Sequence, residues 1–166
     1  AIIPARSGSK GVKNKNIMMI NHQPLLKYVG DLAENNSMID GIFLSTDSEE
    51  YLKIFNDFSY SKNITGTYLR KVENSQDNST PYEYLSDLFE HLKLNDIDVV
   101  NFLILQPTNP LTSSYDIKDS INRFELIENK ILVSVSKPIQ HLGCMINIDR
   151  GFKFIVENSG SNRQSY

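Results

Sequence analysis

Apolar residues in this chain fall into short unbroken runs that alternate with longer stretches of helical spacing. Residues 1–5, 39–45, 64–69, 98–105 and 131–136 are runs of the first kind and read as strands of a largely buried sheet. Between them, Leu25, Leu26, Val29, Leu32 and Ala33 make an apolar stripe. That stripe predicts a helix to about residue 36, with Pro24 suited to its first turn. Asp47 or Ser48 is placed to cap a second helix ending near Phe58, and Glu49 and Glu50 in its first turn complement the helix dipole. Thr80-Pro-Tyr-Glu83 is a capping box with proline at the first helical position, followed by Tyr84, Leu85, Leu88, Phe89 and Leu92 on one face. Ser113 or Ser114 caps a further helix reaching about residue 129. Ile17 to Ile20 is a short apolar segment, and Asn21, His22 and Gln23 form a turn. Near the end, apolar residues 145–148 and 152–156 flank Asp149-Arg-Gly151, which predicts an antiparallel hairpin.

Strands alternating with helices in this way predict a three-layer α/β fold with a mostly parallel sheet. The terminal hairpin adds antiparallel character. The run 98–105 is the most continuous and is expected to be a central strand buried on both faces; an edge position would count against the architecture. A chain of 166 residues fits one domain, 1–166, large enough to bury a core.

Composition narrows the function. Forty per cent hydrophobic and 22% charged residues is ordinary for a soluble globular protein. A net charge of −3 argues against nucleic acid as a partner. Cys144, the single cysteine, excludes an internal disulfide and fits a reducing, cytoplasmic setting. No apolar run approaches the ~20 residues of a membrane span. The chain opens in a strand without Met, and residues are expected to precede it.

Against that acidic balance, the first strand runs into a basic, glycine-rich stretch. Ser7, Gly8, Ser9 and Gly11 leave the backbone nearly bare, and Arg6, Lys10, Lys13 and Lys15 surround it with positive charge. A strand entering such a turn is how α/β proteins hold polyphosphates. The spacing is neither G-x-G-x-x-G nor the P-loop, because Gly11, not Ser or Thr, follows Lys10. Ligands of open α/β sheets lie beyond the carboxyl ends of strands, and residues 6–16, 45–47 and 106–110 all fall there. No Ser-His-Asp triad or zinc set is present in the pattern.

Ala5-Arg-x-x-Ser-Lys-Gly11 with Lys15-Asn16, then Ser45-Thr-Asp47, Gln106-Pro-Thr-Asn-Pro-Leu111 and Arg163-Gln164 together resemble the CMP-sialic acid synthetases (acylneuraminate cytidylyltransferases) and, less closely, the CMP-Kdo synthetases. The order and rough spacing agree across the whole chain. The resemblance implies a Rossmann-like nucleotidyltransferase fold. It implies an enzyme that joins CTP and a nine-carbon 2-keto sugar acid into CMP-sugar and pyrophosphate, with Mg²⁺ as cofactor and a homodimer as assembly. The alternatives are a CMP-Kdo synthetase or other sugar nucleotidyltransferase and, in another class, a nucleotide-binding module without catalysis. Enzymes of this family continue beyond the point matching Tyr166, with part of the dimer interface and an Asp-x-Asp metal pair. A C-terminal tail is therefore expected to be missing here, and this piece is expected to bind CTP but turn over little.

The resemblance also assigns residues. Arg6, Lys10 and Lys15 supply charge stabilisation as the catalytic set. Ala5, Arg6, Ser7, Gly8, Ser9, Lys10, Lys15, Asn16, Arg70 and Thr80 bind the nucleotide. Lys13 falls where the family often has another residue and ranks lower. Arg70 would lie against cytosine or ribose, or else cap a strand end at the surface. Thr80 faces the nucleotide or is simply an N-cap. Gln106, whose amide both donates and accepts, is the sugar ligand or part of a turn. His141 contacts the sugar or is structural. Cys144 stands where some relatives have a Lys for the sugar carboxylate, leaving Arg163 as the candidate fork. Asn109 replaces the family's usual Ser. Asp47 is a weak metal candidate, and a helix cap is the favoured reading.

Overall fold

The computed structural model describes residues 1–8, 11–76, 79–128, 131–135, 146–147 and 153–154. It divides into two units, Ala1–Leu126 and Ile127–Tyr166.

In the first unit, strand β1 (Ile2–Pro4) leads through the loop and a 3₁₀ turn (Lys15–Ile17) to a small hairpin, β2 (Met19–Ile20) and β3 (Gln23–Pro24). Asn21 and His22 both have positive φ, 48° and 66°, as the two-residue turn of a twisted hairpin requires. Helix α1 (Leu25–Glu34) starts one position later than expected, because Pro24 is still extended and flanks the helix. Next come β4 (Gly41–Thr46), α2 (Glu49–Asn56) and β5 (Ile64–Leu69), then a 3₁₀ turn (Val72–Ser75), α3 (Pro81–Leu94) and α4 (Ser114–Leu126). The capping box at Thr80 forms as its sequence dictates: Thr80 N donates to Glu83 Oε2 at 2.6 Å, and Glu83 N to Thr80 Oγ1 at 3.4 Å. Ser113 and Asp116 make the same reciprocal pair at the head of α4.

Strands β1, β4 and β5 form a parallel sheet in that order, with Ile2↔Phe43, Pro4↔Ser45 and Ser45↔Tyr68 in register. Alternation along the strands sends side chains to two faces. Ile3, Ala5, Ile42 and Leu44 pack with Leu26, Val29 and Ala33 of α1, Tyr51 and Phe55 of α2, and Ile117 of α4. Ile2 and Phe43 point the other way, onto Leu88 and Leu92 of α3. The sheet therefore lies between helices on both faces, and full burial of each such aliphatic side chain contributes roughly 1.5–3 kcal/mol.

The run 98–105 departs from expectation. It joins β1 through a single parallel bridge, Ile2↔Ile104, with Ile2 N to Leu103 O at 2.8 Å and Leu105 N to Ile2 O at 2.9 Å. Among the described residues it is an edge, and Val100 and Phe102 are exposed rather than buried on both faces. The bridge is short because β1 itself has three residues, and the run is an edge because no described strand pairs on its far side, residues 131–135 making no strand bonds. What survives the correction is a mixed α/β fold with a parallel sheet.

In the second unit, residues 131–135 carry no strand bonding and are exposed, unlike the strand expected there. Ile146–Asn147 (β6) pairs antiparallel with Lys153–Phe154 (β7). The residues joining them, and so the expected hairpin as a whole, lie outside the described residues.

Candidate functional site

The topology picks out a place before any side chain is considered. From β1 the chain moves across the sheet to β4 and β5, with α1 and α2 packed on one face. It then returns past α3 on the opposite face, and residues 103–105 bond to the free side of β1. Strand order therefore reverses at β1, and the crevice of such a sheet opens at the carboxyl ends flanking that reversal. Two chain segments leave there: residues 6–16 after β1, and residues 106–110 after the bridge at Ile104.

The register fixes what lies along this edge. Pro4, Ser45 and Tyr68 are aligned across β1, β4 and β5, so Arg6, Asp47 and Arg70, two residues further on each chain, leave the sheet at one level. The parallel bridge Ile2↔Ile104 sets Gln106 level with Pro4.

Ala5 is fully buried, and its N–H donates to Ser45 O at 2.9 Å, extending the sheet bonding into the loop. Arg6 is half-buried and donates to Ser75 O and Gly8 O, each at 3.3 Å. Ser7 N donates to Asp47 Oδ1 at 2.8 Å, and Gly8 is exposed. Asn14 adopts φ 53°, a left-handed turn that Asn tolerates, and so starts the 3₁₀ turn carrying Lys15 and Asn16. Lys15 is half-exposed. Asn16 is buried and donates Nδ2 to Arg6 O at 2.9 Å, so within the described residues it braces the loop.

Arg70 is not at the surface. It is buried, with Nε donating to Ser45 Oγ at 2.8 Å and Nη2 to Ser45 O at 2.9 Å. Its guanidinium lies over the Tyr84 ring. Burial pulls the Arg70 pKa below its usual value; Tyr84 and Asp47 oppose this and Arg6 adds to it. Burial likewise raises the Tyr84 hydroxyl, against the pull of Arg70. Thr80 is exposed at the head of α3 and serves as its N-cap.

The favoured cap at Asp47 is overturned: Ser48 is the N-cap, accepting from Tyr51 N at 3.3 Å. Asp47 instead reaches the loop after β1, a bond between residues 40 apart in sequence. Ser-Thr-Asp at a strand end was the only sequence signal for it. Ser45 and Tyr84, as partners of Arg70, carried no signal. Gln106 is exposed, its Oε1 accepts from Thr108 Oγ1 at 3.4 Å, and Asn109 N donates to Gln106 O at 3.0 Å, closing the turn. Ser9, Lys10, His141, Cys144 and Arg163 lie outside the described residues.

Among the described residues no three His, Cys, Asp or Glu side chains converge to hold a metal ion. Mg²⁺ takes oxygen ligands, often one or two carboxylates plus substrate phosphates. Asp47 is a carboxylate at this edge, with Oδ1 already accepting from Ser7. The described residues do not by themselves make a magnesium site. No described helix is long and apolar enough to cross a membrane.

Comparison with known proteins identifies the family. Residues 1–146 match the family described as Cytidylyltransferase. The chain is 34% identical to an N-acylneuraminate cytidylyltransferase of Streptococcus agalactiae serotype III (strain NEM316), over 98% of this chain and 38% of that protein. It is 33% identical to the enzyme of that name from Escherichia coli O18:K1:H7 (strain RS218 / NMEC), over 99% of this chain and 38% of that protein. The chain thus spans about two-fifths of the length of these relatives. In fold it resembles CMP:2-keto-3-deoxy-manno-octonic acid synthetase complexed with CTP, with TM-score 0.60 and 15% identity over 75% of this chain and 46% of that one. A family match that covers residues 1–146, seconded by relatives a third identical across nearly the whole chain, makes this protein a member of the cytidylyltransferase family.

Proposed function

We propose that this chain is the nucleotide-binding part of a cytidylyltransferase that activates a nine-carbon 2-keto sugar acid, sialic acid or a relative, with CTP. The observation that carries the reading is the reversal of strand order at β1, which sets the start of the basic Gly-rich loop and the Gln106 turn at the neighbouring carboxyl ends where open α/β sheets bind ligands. The relatives named N-acylneuraminate cytidylyltransferase support the substrate class. The domain is read as a Rossmann-like nucleotidyltransferase, its C-terminal hairpin included.

In the proposed reaction the anomeric hydroxyl of the sugar acid attacks the α-phosphorus of CTP. A C–O–P bond forms, the bond to the β-phosphate oxygen breaks, pyrophosphate departs, and the hydroxyl proton passes to solvent. Charge builds on the phosphoryl oxygens and the leaving pyrophosphate. Preoriented cations stabilise such charge where water would have to reorganise. Arg6 and Lys15, with Lys10 in the same loop, are the proposed source. The backbone of the loop after β1 would approach the phosphates, and Arg70 and Ala5 would border the base. Gln106, with His141 and Arg163, would hold the sugar acid. Mg²⁺, carried on the triphosphate, would lower its negative charge. No described residue stands out as a general base. A cytoplasmic homodimer belongs to the same proposal and rests on the family resemblance.

Pyrophosphate release tests the reaction. CTP is supplied with a panel of sugar acids: neuraminic, legionaminic and pseudaminic acid derivatives and Kdo. The full-length protein should release pyrophosphate with a nine-carbon acid. Release with Kdo alone would move the assignment to the related synthetases, and CTP binding without release in any arm would leave a binding module.

A further inference from the structure

The Arg6–Ser7 peptide unit is held from both sides by side chains. Its carbonyl accepts from Asn16 Nδ2 at 2.9 Å, and its N–H donates to Asp47 Oδ1 at 2.8 Å. These two bonds come from separate parts of the chain: one from the end of the loop itself, the other from just past the end of the neighbouring strand, 40 residues away. A peptide unit is planar, so fixing both polar groups fixes the plane. Fixing that plane sets the direction in which the chain and its following N–H groups leave the strand. Gly8 comes next, a residue with no Cβ to restrict its backbone, so the orientation is not supplied by local sterics.

We propose that Asp47 is a positioning residue at the start of the anion-binding loop: its carboxylate locks the Arg6–Ser7 peptide, so that the backbone leaving β1 is oriented before a nucleotide arrives. This rests on the phosphate-binding reading of that loop. Three observations favour it over the other roles open to Asp47. The helix that follows does not need Asp47, because Ser48 is its cap. The carboxylate is half-buried and committed through Oδ1 to Ser7 rather than lying loose in solvent. It also stands level with Arg6 and Arg70, where its charge offsets theirs: it raises the pKa of buried Arg70 while Arg6 lowers it. A peptide unit ordered in advance loses less freedom when the ligand binds, which is the energetic gain of preorganisation.

The experiment compares Asp47→Ala, Asp47→Asn and, as a control, Ser48→Ala. Asn keeps an oxygen acceptor for Ser7 N–H and loses the charge. Amide hydrogen exchange at Ser7 reads the lock without any nucleotide, and calorimetry with CTP reads its consequence, with and without Mg²⁺. Exchange at Ser7 should accelerate about tenfold or more in Asp47→Ala and stay near wild type in Asp47→Asn and Ser48→Ala. CTP affinity without Mg²⁺ should fall by about one decade in Asp47→Ala and be largely rescued in Asp47→Asn. Unchanged Ser7 exchange in Asp47→Ala overturns the proposal. So does a loss of affinity seen only with Mg²⁺ and not rescued by Asn, which would make Asp47 a metal ligand. If wild type binds no CTP, the nucleotide reading fails, and the exchange measurement still decides whether Asp47 holds the loop.

Discussion

The guanidinium of Arg70 lies 4.1 Å from the centroid of the Tyr84 ring, and its other face of contacts is Ser45, through both Oγ and the backbone carbonyl. This ties the end of β4 to the first turns of α3, across the layer boundary. Arg70 also continues the sheet, donating its own N–H to Thr46 O at 2.7 Å. A planar, forked cation that bonds on its edge and stacks on its face suits this position in a way that Lys does not.

Arg70→Lys should therefore cost stability before it costs anything else. It loses the forked bonds to Ser45 and the stacking on Tyr84, together about 2–4 kcal/mol. Denaturant unfolding measures this. A midpoint equal to wild type would show that Arg70 is held for a ligand and not for the fold.

Thr80 separates two readings with one substitution. As the N-cap of α3, Thr80→Ala should destabilise by about 1 kcal/mol. Titration should give an unchanged CTP affinity. An affinity loss with unchanged stability would put the Thr80 hydroxyl on the nucleotide.

Gly30 is fixed by packing and not by a turn. A Cβ there would come within 2.1 Å of the Tyr60 hydroxyl, itself bonded to Asp31 Oδ1 at 3.2 Å. Gly30→Ala gains up to about 1 kcal/mol of helix propensity. Overpacking against Tyr60 should outweigh it, for a net loss of about 1–2 kcal/mol. Pairing it with Tyr60→Leu should recover part of the loss, read from thermal melts.

The alkaline limb of stability follows from the buried tyrosines. Burial is the first cause at both Tyr51, whose hydroxyl is pushed up to about 12, and Tyr60, raised further with help from Asp31. Tyr51 Oη is buried with no hydrogen-bond partner among the described residues. Unfolded tyrosine ionises near about 10. A pKa raised in the folded state means that stability is fully present below that value and is lost as pH rises through the folded pKa. Melting temperature should thus fall as pH climbs above about 10. The Tyr51→Phe, Tyr60→Phe double variant should flatten that decline, and an equal decline in the variant would contradict the assignment. Tyr51→Phe alone should leave neutral-pH stability unchanged or slightly higher, because it removes an unpaired buried hydroxyl.

Arg6 tests the site without testing the core. Its bonds to Ser75 and Gly8 carbonyls are long, at 3.3 Å, and the side chain is only half-buried. Arg6→Ala should abolish turnover of the full-length enzyme and shift its melting temperature little. Retained turnover would sink the role given to the loop.

Local chemistry explains which of these features could be read from sequence. Thr80-Pro-Tyr-Glu83 states a helix start completely, since every group of the capping box lies within one turn. The β-branched runs that became β4 and β5 were equally plain, because pairing on both sides of β4 demands them. The run 98–105 misled because apolar composition signals burial without saying what does the burying; Val100 and Phe102 are exposed among the described residues. The hairpin of β2 and β3 reads in sequence only as an apolar segment and a turn, because its strands are two residues long and Met19 and Ile20, both apolar yet exposed, show no alternation. The Ser7–Asp47 and Arg70–Ser45 bonds join residues 40 and 25 apart. Such pairs exist only once the sheet register aligns them, so sequence offered their chemistry but not their partners.

The most direct test of the central claim is calorimetric titration of this chain with CTP, UTP, ATP and GTP. If the crevice at the end of β1 is a cytidine nucleotide site, CTP should bind most tightly. Arg6→Ala should weaken that binding by roughly 1.5–3 kcal/mol, about one to two decades. Equal affinity for all four nucleotides, or binding indifferent to Arg6, would contradict it.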